Sequence, residues 1–139
     1  MKHSLFLFLI LIPICINAQQ AVPSKYALVI GNSAYANLSR LTNPVNDAND
    51  VSAVLKELGF TVETITNGTL DQIENGILRL KNRLNISGDA YGFFFYAGHG
   101  VQSAGENFLI PVDANIPSET FLRTRTVSVQ VVLDELNNA

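Results

Sequence analysis

Residues 91–100, YGFFFYAGHG, decide the fold, because an aromatic run leads directly into a histidine that stands between two glycines. The run from Tyr91 to Ala97 is short and rich in residues that favour strands. It predicts a strand buried on both faces of a parallel sheet. His99 then lies just beyond the C-terminal end of this strand, where open α/β sheets place their reactive groups.

Two further strands and two helices precede this stretch. Tyr26–Gly31 is nearly all apolar and Phe60–Thr66 is rich in β-branched residues, so both predict strands of the same sheet. Between them, Asn43-Pro44 and Gly59 are typical of the start and end of a helix. Its expected apolar stripe comprises Val45, Ala48, Val51, Val54, Leu55 and Leu58.

The second helix begins with a capping box formed by Thr69 and Gln72, and helical spacing of apolar residues continues until Gly88. After His99, residues 101–112 predict a small hairpin that turns at Ala104-Gly105. Ser128 is then the expected cap of a third helix, with Val129, Val132, Leu133 and Leu136 facing inward. Alternating strands and helices of these lengths predict an α/β fold with a mostly parallel sheet.

The first 18 residues have the layout of a secretory signal peptide, with a basic start, an apolar run and Ala18 before the expected cleavage. A lipoprotein anchor on Cys15 is the alternative, although no small residue precedes it at the required place. We expect a short leader at residues 19–24 and one domain at 25–139. The mature protein is expected to be secreted or periplasmic, with no membrane attachment after signal cleavage, because no later segment is apolar enough to span a bilayer.

Composition excludes several classes of function. With residues 1–18 removed, the chain has no cysteine and only one histidine, so neither a disulfide framework nor metal-ligand spacing is present. The 12 acidic residues outnumber the 9 basic ones, and no basic cluster indicates a nucleic-acid partner. No dinucleotide-binding fingerprint follows the first strand. We therefore predict no metal and no cofactor.

His99 is the candidate for proton transfer, because imidazole titrates near neutral pH. From spacing alone, a loop histidine that bonds to a backbone carbonyl remains an equal alternative. The flanking glycines allow close approach of the backbone, and the amide of Gly100 could donate to an oxyanion. Ser33 and Ser103 are hydroxyl-bearing residues of this region, but no pattern in the sequence pairs either of them with His99.

Four stretches of the chain resemble the caspase-like peptidases, in particular their bacterial and metacaspase-type members. They are residues 26–32 (YALVIGN), 41–48 (LTNPVNDA), 93–100 (FFFYAGHG) and 107–113 (NFLIPVD), and they occur in the family's order. The resemblance covers about residues 25–139. It implies a three-layer caspase-like fold, and we expect the chain to stop before the strand that bears the nucleophile.

The resemblance also implies roles for individual residues. His99 is similar to the histidine of the family's Cys/His dyad, and Gly100 to one of its two oxyanion donors. The family's other donor is the amide of the nucleophilic cysteine, which follows the next strand and has no counterpart before Ala139. This chain is therefore expected to be inactive alone. The aspartates that calcium-dependent metacaspases use beyond the histidine are also missing.

Asp47 is similar to the acidic residue that makes metacaspase-type enzymes prefer arginine or lysine before the scissile bond. A carboxylate selects such side chains through charge-assisted hydrogen bonds. The alternative is that Asp47 only complements the dipole of its helix. Pro44 stands where many metacaspases have a cysteine, which separates this chain from the common pattern.

Two functions follow from the resemblance. The first is a cysteine-type endopeptidase that cleaves protein or peptide substrates after arginine or lysine, with only the histidine half of its dyad in this chain. The second is a noncatalytic caspase-like domain that serves as a binding or scaffold module, since a fold can persist after its chemistry is lost.

Overall fold

The structure is a computed structural model that describes residues 22–139. The predicted signal peptide, Cys15 and the first half of the predicted leader therefore lie outside the described residues. The elements in chain order are β1 (Ser24–Gly31), α1 (Pro44–Glu57), β2 (Thr61–Thr66), α2 (Leu70–Ser87), β3 (Ala90–Ala97), β4 (Gly100–Ser103), β5 (Glu106–Leu109), a 3₁₀ turn (Glu119–Phe121), α3 (Leu122–Arg125), β6 (Val127–Ser128) and α4 (Val129–Asn137).

The main sheet is parallel and, within residues 22–139, has the strand order β2-β1-β3. Gly31 pairs with Thr66 on one side and with Ala97 on the other, so the three strands end level with one another. The loops that follow them consequently meet at one edge of the sheet. We call this edge the rim; it comprises residues 32–41, 67–69 and 98–100.

Helices cover both faces of the main sheet. Ala27 and Val29 of β1 pack against α1, whereas Leu28 and Ile30 pack against α2 and α4. Alternate side chains of one strand thus enter two separate cores, which is why residues 27–30 are all apolar. The arrangement confirms the predicted α/β class. Among the described residues, no helix is both long and apolar enough to cross a membrane.

The predicted hairpin is confirmed as β4 and β5, and the two-residue turn at Ala104-Gly105 has the positive φ angles of 49° and 82° that a tight hairpin needs. The short strand β6, which pairs with β5, was missed by the sequence prediction. It has only two residues, too few to show an alternating pattern. The 3₁₀ turn and α3 were missed for the same reason.

The predicted apolar stripes are partly wrong. On α1, Ala48 and Leu55 are buried, but Val54 is exposed, as is Leu58, which follows the helix. Val54 lies about 120° around the helix axis from Ala48, outside the face that contacts the sheet. The buried polar residue on this face is Ser52, whose hydroxyl bonds to that of Thr64 on β2 at 2.8 Å. On α4, Leu133 is likewise exposed, while Val132 is buried.

The prediction that Tyr91–Ala97 is buried on both faces is also wrong. Tyr91 and Phe93 are 59% and 38% exposed. The cause is the position of β3, which pairs with β1 on one side and has no partner strand on the other within the described residues. β1 has the central position in the sheet, and its residues 27–31 are buried.

Helix caps are supplied by distant loops as well as by the expected residues. The capping box of Thr69 and Gln72 on α2 is confirmed. On α1, however, the Asn43 side chain makes no cap bond, and the Val45 amide donates to the hydroxyl of Ser33 at 3.3 Å. The Ser128 side chain likewise makes no cap bond on α4. Sequence spacing cannot reveal a cap that comes from another segment.

Asn32, the first residue after β1, is completely buried and joins three segments of the chain. Its Oδ1 accepts the Gly68 N–H at 2.8 Å, and its Nδ2 donates to the carbonyls of Gly68 and Ile110 at 3.4 and 3.3 Å. If the amide were removed, the Gly68 N–H would lose its acceptor, whereas the carbonyls of Gly68 and Ile110 would keep their bonds from the Val112 N–H and the Tyr96 hydroxyl. A buried polar group that loses its partner costs about 1–3 kcal/mol.

We predict that Asn32→Ala lowers the free energy of unfolding by about 3 kcal/mol, because it leaves the buried Gly68 N–H without an acceptor and opens a small cavity. Urea denaturation followed by circular dichroism measures the change. Asn82→Ala, at an exposed position of α2, is the control and should change stability by less than about 0.5 kcal/mol. Equal effects of the two substitutions would contradict the role given to Asn32.

Candidate active site at the sheet rim

The candidate site forms around His99, which lies two residues beyond the end of β3. The pairing of Gly31 with Ala97 brings the loop after β1 directly alongside it. His99 is partly exposed, so its imidazole is at the surface of the rim and outside the packed cores. The predicted position of His99 at the C-terminal edge of the sheet is therefore confirmed by its geometry.

The imidazole of His99 is held by the loop between β1 and α1. Its Nε2 lies 2.8 Å from the carbonyl oxygen of Ser39. A carbonyl oxygen can only accept a hydrogen bond, so Nε2 carries a proton. In the neutral ring the lone pair is then on Nδ1. The sequence alternative of a histidine bonded to a carbonyl is thus correct for Nε2, and the same bond prepares Nδ1 as a base.

The main chain of His99 is fixed by two tyrosines and by the segment after β5. Its N–H donates to the Tyr35 hydroxyl at 2.7 Å. Its carbonyl accepts the Ile110 N–H at 3.0 Å and the Tyr96 hydroxyl at 2.9 Å. Both backbone groups of His99 are therefore engaged, and the residue has little freedom to move relative to the sheet.

Gly98 leaves room for the two tyrosine hydroxyls. A Cβ atom at this position would lie 2.5 Å from the Tyr35 Oη and 2.6 Å from the Tyr96 Oη. Neither side chain can retreat without losing its hydrogen bond to His99. Any side chain at position 98 would therefore displace His99 from its present position.

The amide of Gly100 points away from the hairpin. The bond from the Ile110 N–H to the His99 carbonyl marks a hydrogen-bonded position of the antiparallel pair. Because such positions alternate, Gly100 and Leu109 form a non-hydrogen-bonded pair. Gly100 is also exposed. Its N–H can therefore donate to a group that approaches the rim from solvent.

Asp47 lies in the first turn of α1, and its side chain is exposed. Because α1 follows the loop that holds His99, this turn is near the same edge of the sheet. The Asp47 N–H donates to the Asn43 carbonyl at 2.9 Å, as expected within a helix. Within residues 22–139 its carboxylate forms no ion pair.

Comparison with protein families gives a match between residues 24–139 and the caspase domain. The chain belongs to the caspase domain family. This confirms the family resemblance of the four sequence stretches, and the alternation of β-strands and helices around His99 is consistent with a caspase-like fold.

Two mammalian proteins share part of this caspase domain. The human mucosa-associated lymphoid tissue lymphoma translocation protein 1 is 32% identical over 99 residues, which are 71% of this chain and 12% of that protein. Its homolog in Mus musculus matches with the same identity and coverage. The chain thus spans only a small part of the length of these relatives.

The two serines near the rim of the caspase domain have other partners. The Ser33 hydroxyl accepts the Val45 N–H of α1, and the Ser103 hydroxyl donates to the Glu119 carboxylate. Neither hydroxyl bonds to His99. Among the described residues, no three side chains of His, Cys, Asp or Glu come together as metal ligands.

Three contributors to this site were missed by sequence reasoning. Ser39 acts through its backbone carbonyl, which every residue carries, so no sequence signal could identify it. Tyr96 lies in the predicted aromatic strand and in one of the family stretches, whereas Tyr35 lies in the loop after β1 and has no predicted role. The Tyr96 hydroxyl could have been noticed, because a tyrosine in a buried strand usually needs a hydrogen-bond partner.

Tyr96 has its pKa raised above the ordinary value, first by burial of the phenol and next by its hydrogen bond with Tyr35. In the unfolded chain this phenol loses its proton once the pH exceeds its ordinary pKa of about 10, whereas in the folded protein it retains the proton at that pH. The unfolded state therefore releases a proton that the folded state keeps. The contribution of Tyr96 to stability is complete below pH 10 and is lost as the pH rises further.

We predict that Tyr96→Phe lowers the unfolding free energy at pH 7 by about 2 kcal/mol, because the carbonyls of His99 and Ile110 lose a donor. The variant should also lose stability less steeply between about pH 10 and pH 11.5. Urea denaturation across this range makes the measurement, with Tyr91→Phe, an exposed tyrosine of the same strand, as control. If the unfolding free energies of Tyr96→Phe and of the unmutated protein fell with pH at the same slope, Tyr96 would not be the group responsible for the loss of stability at high pH.

Proposed function

We propose that this caspase domain is the histidine-bearing part of a cysteine-type endopeptidase that cleaves protein substrates after arginine or lysine. Membership of the family supports peptidase chemistry. The observation that carries the proposal for this chain is the bond from His99 Nε2 to the Ser39 carbonyl, which leaves Nδ1 as the basic nitrogen at the rim.

The thiol must come from outside the described residues, because residues 22–139 contain no cysteine. Nδ1 of His99 would accept the thiol proton, giving a thiolate and an imidazolium. Attack on the scissile carbonyl forms a tetrahedral oxyanion, toward which the outward N–H of Gly100 can donate. The imidazolium then gives its proton from Nδ1 to the leaving amine. Water, activated by the same nitrogen, hydrolyses the remaining thioester.

The geometry of the imidazole suits both directions of proton transfer. A fixed bond at Nε2 keeps the tautomer constant, so that Nδ1 alternates between its protonated and unprotonated forms. When the ring is positively charged, the Ser39 carbonyl still accepts from Nε2 and stabilises the cation. In the hydrogen bond between Nε2 and the Ser39 carbonyl, the carbonyl orients the imidazole and does not itself take a proton.

Specificity for basic side chains rests on Asp47. Its carboxylate is exposed near the rim and unpaired among the described residues, so a substrate guanidinium or ammonium could approach it. Such a pair would be charge-assisted and would discriminate against neutral side chains. The alternative role, complementing the dipole of α1, requires the same position but predicts no effect on substrate choice.

We predict that His99→Ala reduces kcat/KM for an arginyl peptide reporter at least about a thousandfold, because the base for both proton transfers is lost. The assay uses the full exported polypeptide encoded with this domain, whose mature form is proposed to begin at Gln19 in the periplasm or medium. Circular dichroism should be unchanged, since His99 is partly exposed.

If the His99→Ala variant cleaved the reporter as fast as the unmutated polypeptide, His99 would have no role in the mechanism. No cleavage by the unmutated polypeptide, together with a residue other than cysteine at the end of the following strand, would favour the noncatalytic scaffold.

We predict that Asp47→Asn lowers kcat/KM for an arginyl reporter by about 10- to 100-fold and leaves that for a leucyl reporter unchanged, because only the charged side chain loses its partner. Asp50→Asn, an exposed aspartate almost one turn further along the same helix, is the matched control and should change either value less than about twofold. Equal rates of the unmutated protein on both reporters would contradict a basic pocket.

A further inference from the structure

Tyr35 makes two separate contacts with His99 that the proposed mechanism does not use. Its hydroxyl accepts the His99 N–H at 2.7 Å. Its ring lies against the imidazole with 4.6 Å between ring centroids and 61° between ring planes, an edge-to-face arrangement. One residue thus contacts both the backbone and the side chain of the proposed base.

The Tyr35 hydroxyl has its own proton committed. Tyr96 directs its hydroxyl proton to the carbonyls of Ile110 at 2.7 Å and His99 at 2.9 Å. The bond of 3.2 Å between the two hydroxyls must then be donated by Tyr35. The His99 N–H therefore donates to the Tyr35 hydroxyl, the Tyr35 hydroxyl donates to the Tyr96 hydroxyl, and the Tyr96 hydroxyl donates to the carbonyls. Each hydroxyl both accepts and donates, which fixes its orientation.

The ring of Tyr35 is held by the protein on its other sides. It is 6% exposed and belongs to a buried cluster with Ile110 and Ala114. The backbone on either side is also tied down: the Ala34 N–H donates to the Asn67 side chain at 2.9 Å, and the Ala36 N–H donates to the Val112 carbonyl at 2.9 Å. Tyr35 is therefore a rigid support.

We infer that Tyr35 is a positioning residue for His99, which holds the imidazole so that Nε2 meets the Ser39 carbonyl and Nδ1 faces the solvent side of the rim. Ser39 is four residues after Tyr35 in the same loop, so one segment supplies both the ring support and the Nε2 acceptor. The catalytic consequence rests on the proposed function, whereas the positioning itself is a property of this chain. A base held in place needs no reorganisation before each proton transfer.

The structural test is NMR of the chain containing residues 22–139 with ¹⁵N- and ¹³C-labelled histidine, in which His99 is the only histidine. Three variants are compared with the unmutated chain: Tyr35→Phe keeps the ring and removes the hydroxyl, Tyr35→Leu removes both, and Tyr26→Phe is the control. Tyr26 also bonds through its hydroxyl, to Ser87 at 2.9 Å, but at the opposite end of β1.

We predict a pattern that general loss of stability cannot produce. Tyr35→Phe should shift the His99 amide proton upfield, because its acceptor is lost, and leave the ring-current shift of the imidazole protons in place. Tyr35→Leu should abolish that ring-current shift and mix the two tautomers, as the ¹⁵N shifts of Nδ1 and Nε2 report. Tyr26→Phe should change none of these signals. Unchanged imidazole signals in a folded Tyr35→Leu chain would overturn the inference.

The kinetic test uses the full polypeptide and the arginyl reporter. Tyr35→Phe should lower kcat about tenfold with KM within about twofold, because substrate binding does not involve the hydroxyl. Tyr26→Phe should leave both constants unchanged. A fall of kcat in the Tyr26→Phe control equal to that in Tyr35→Phe would attribute the effect to stability and overturn the inference.

The two proposals fail separately. If His99→Ala retains cleavage, the proposed function is wrong, and the NMR pattern still decides whether Tyr35 positions His99. If His99→Ala abolishes cleavage while Tyr35→Leu leaves the imidazole signals unchanged, the proposed function stands and the role of Tyr35 does not.

Discussion

The rim depends on the buried side chain of Asn32, which is the only group of the described chain that bonds at once to the loop after β2 and to the segment after β5. Because Asn32 follows the central strand, its one side-chain amide can reach both of these segments. Burial of this amide is tolerated because its Oδ1 and Nδ2 are both hydrogen-bonded, and because Oδ1 supplies the acceptor for the buried Gly68 N–H. The bond to the Ile110 carbonyl also connects Asn32 to the site, because Tyr96 donates to that carbonyl and to the carbonyl of His99.

This network explains how the partly exposed His99 can be held rigidly. His99 has its imidazole at the surface, yet its backbone is bonded to two tyrosine hydroxyls that lie below it. Burial raises the pKa of Tyr96, so its phenol remains a hydrogen-bond donor far above neutral pH. The order of the rim thus comes from neutral groups, and it does not require a buried charge near the proposed base.

Much of the fold could be predicted from sequence because it depends on local patterns. The apolar run of β1, the capping box of α2 and the turn at Ala104-Gly105 each carry their signal within a few residues. Predictions were wrong where burial depended on distant segments. The sequence of β3 predicts a fully buried strand, but its position at the edge of the sheet leaves Phe93 exposed. The site divides in the same way. His99 could be located from its strand and glycines, whereas the Ser39 carbonyl that orients it has no signature at all.

The two glycines beside His99 serve different physical purposes, although the sequence presents them as one motif. Gly98 is required by space, because two hydroxyls occupy the volume that its Cβ would need. Gly100 has only the Phe108 carbonyl near its Cβ position, at 3.4 Å, so packing alone would tolerate a small side chain there. The outward direction of its amide is set by the hairpin register. A side chain at position 98 would therefore disturb the base, whereas one at position 100 would act chiefly on what approaches the amide from solvent. The need for glycine at position 98 comes from packing in the fold, and the need for glycine at position 100 comes from the proposed chemistry. Both glycines are neighbours of the same residue, His99.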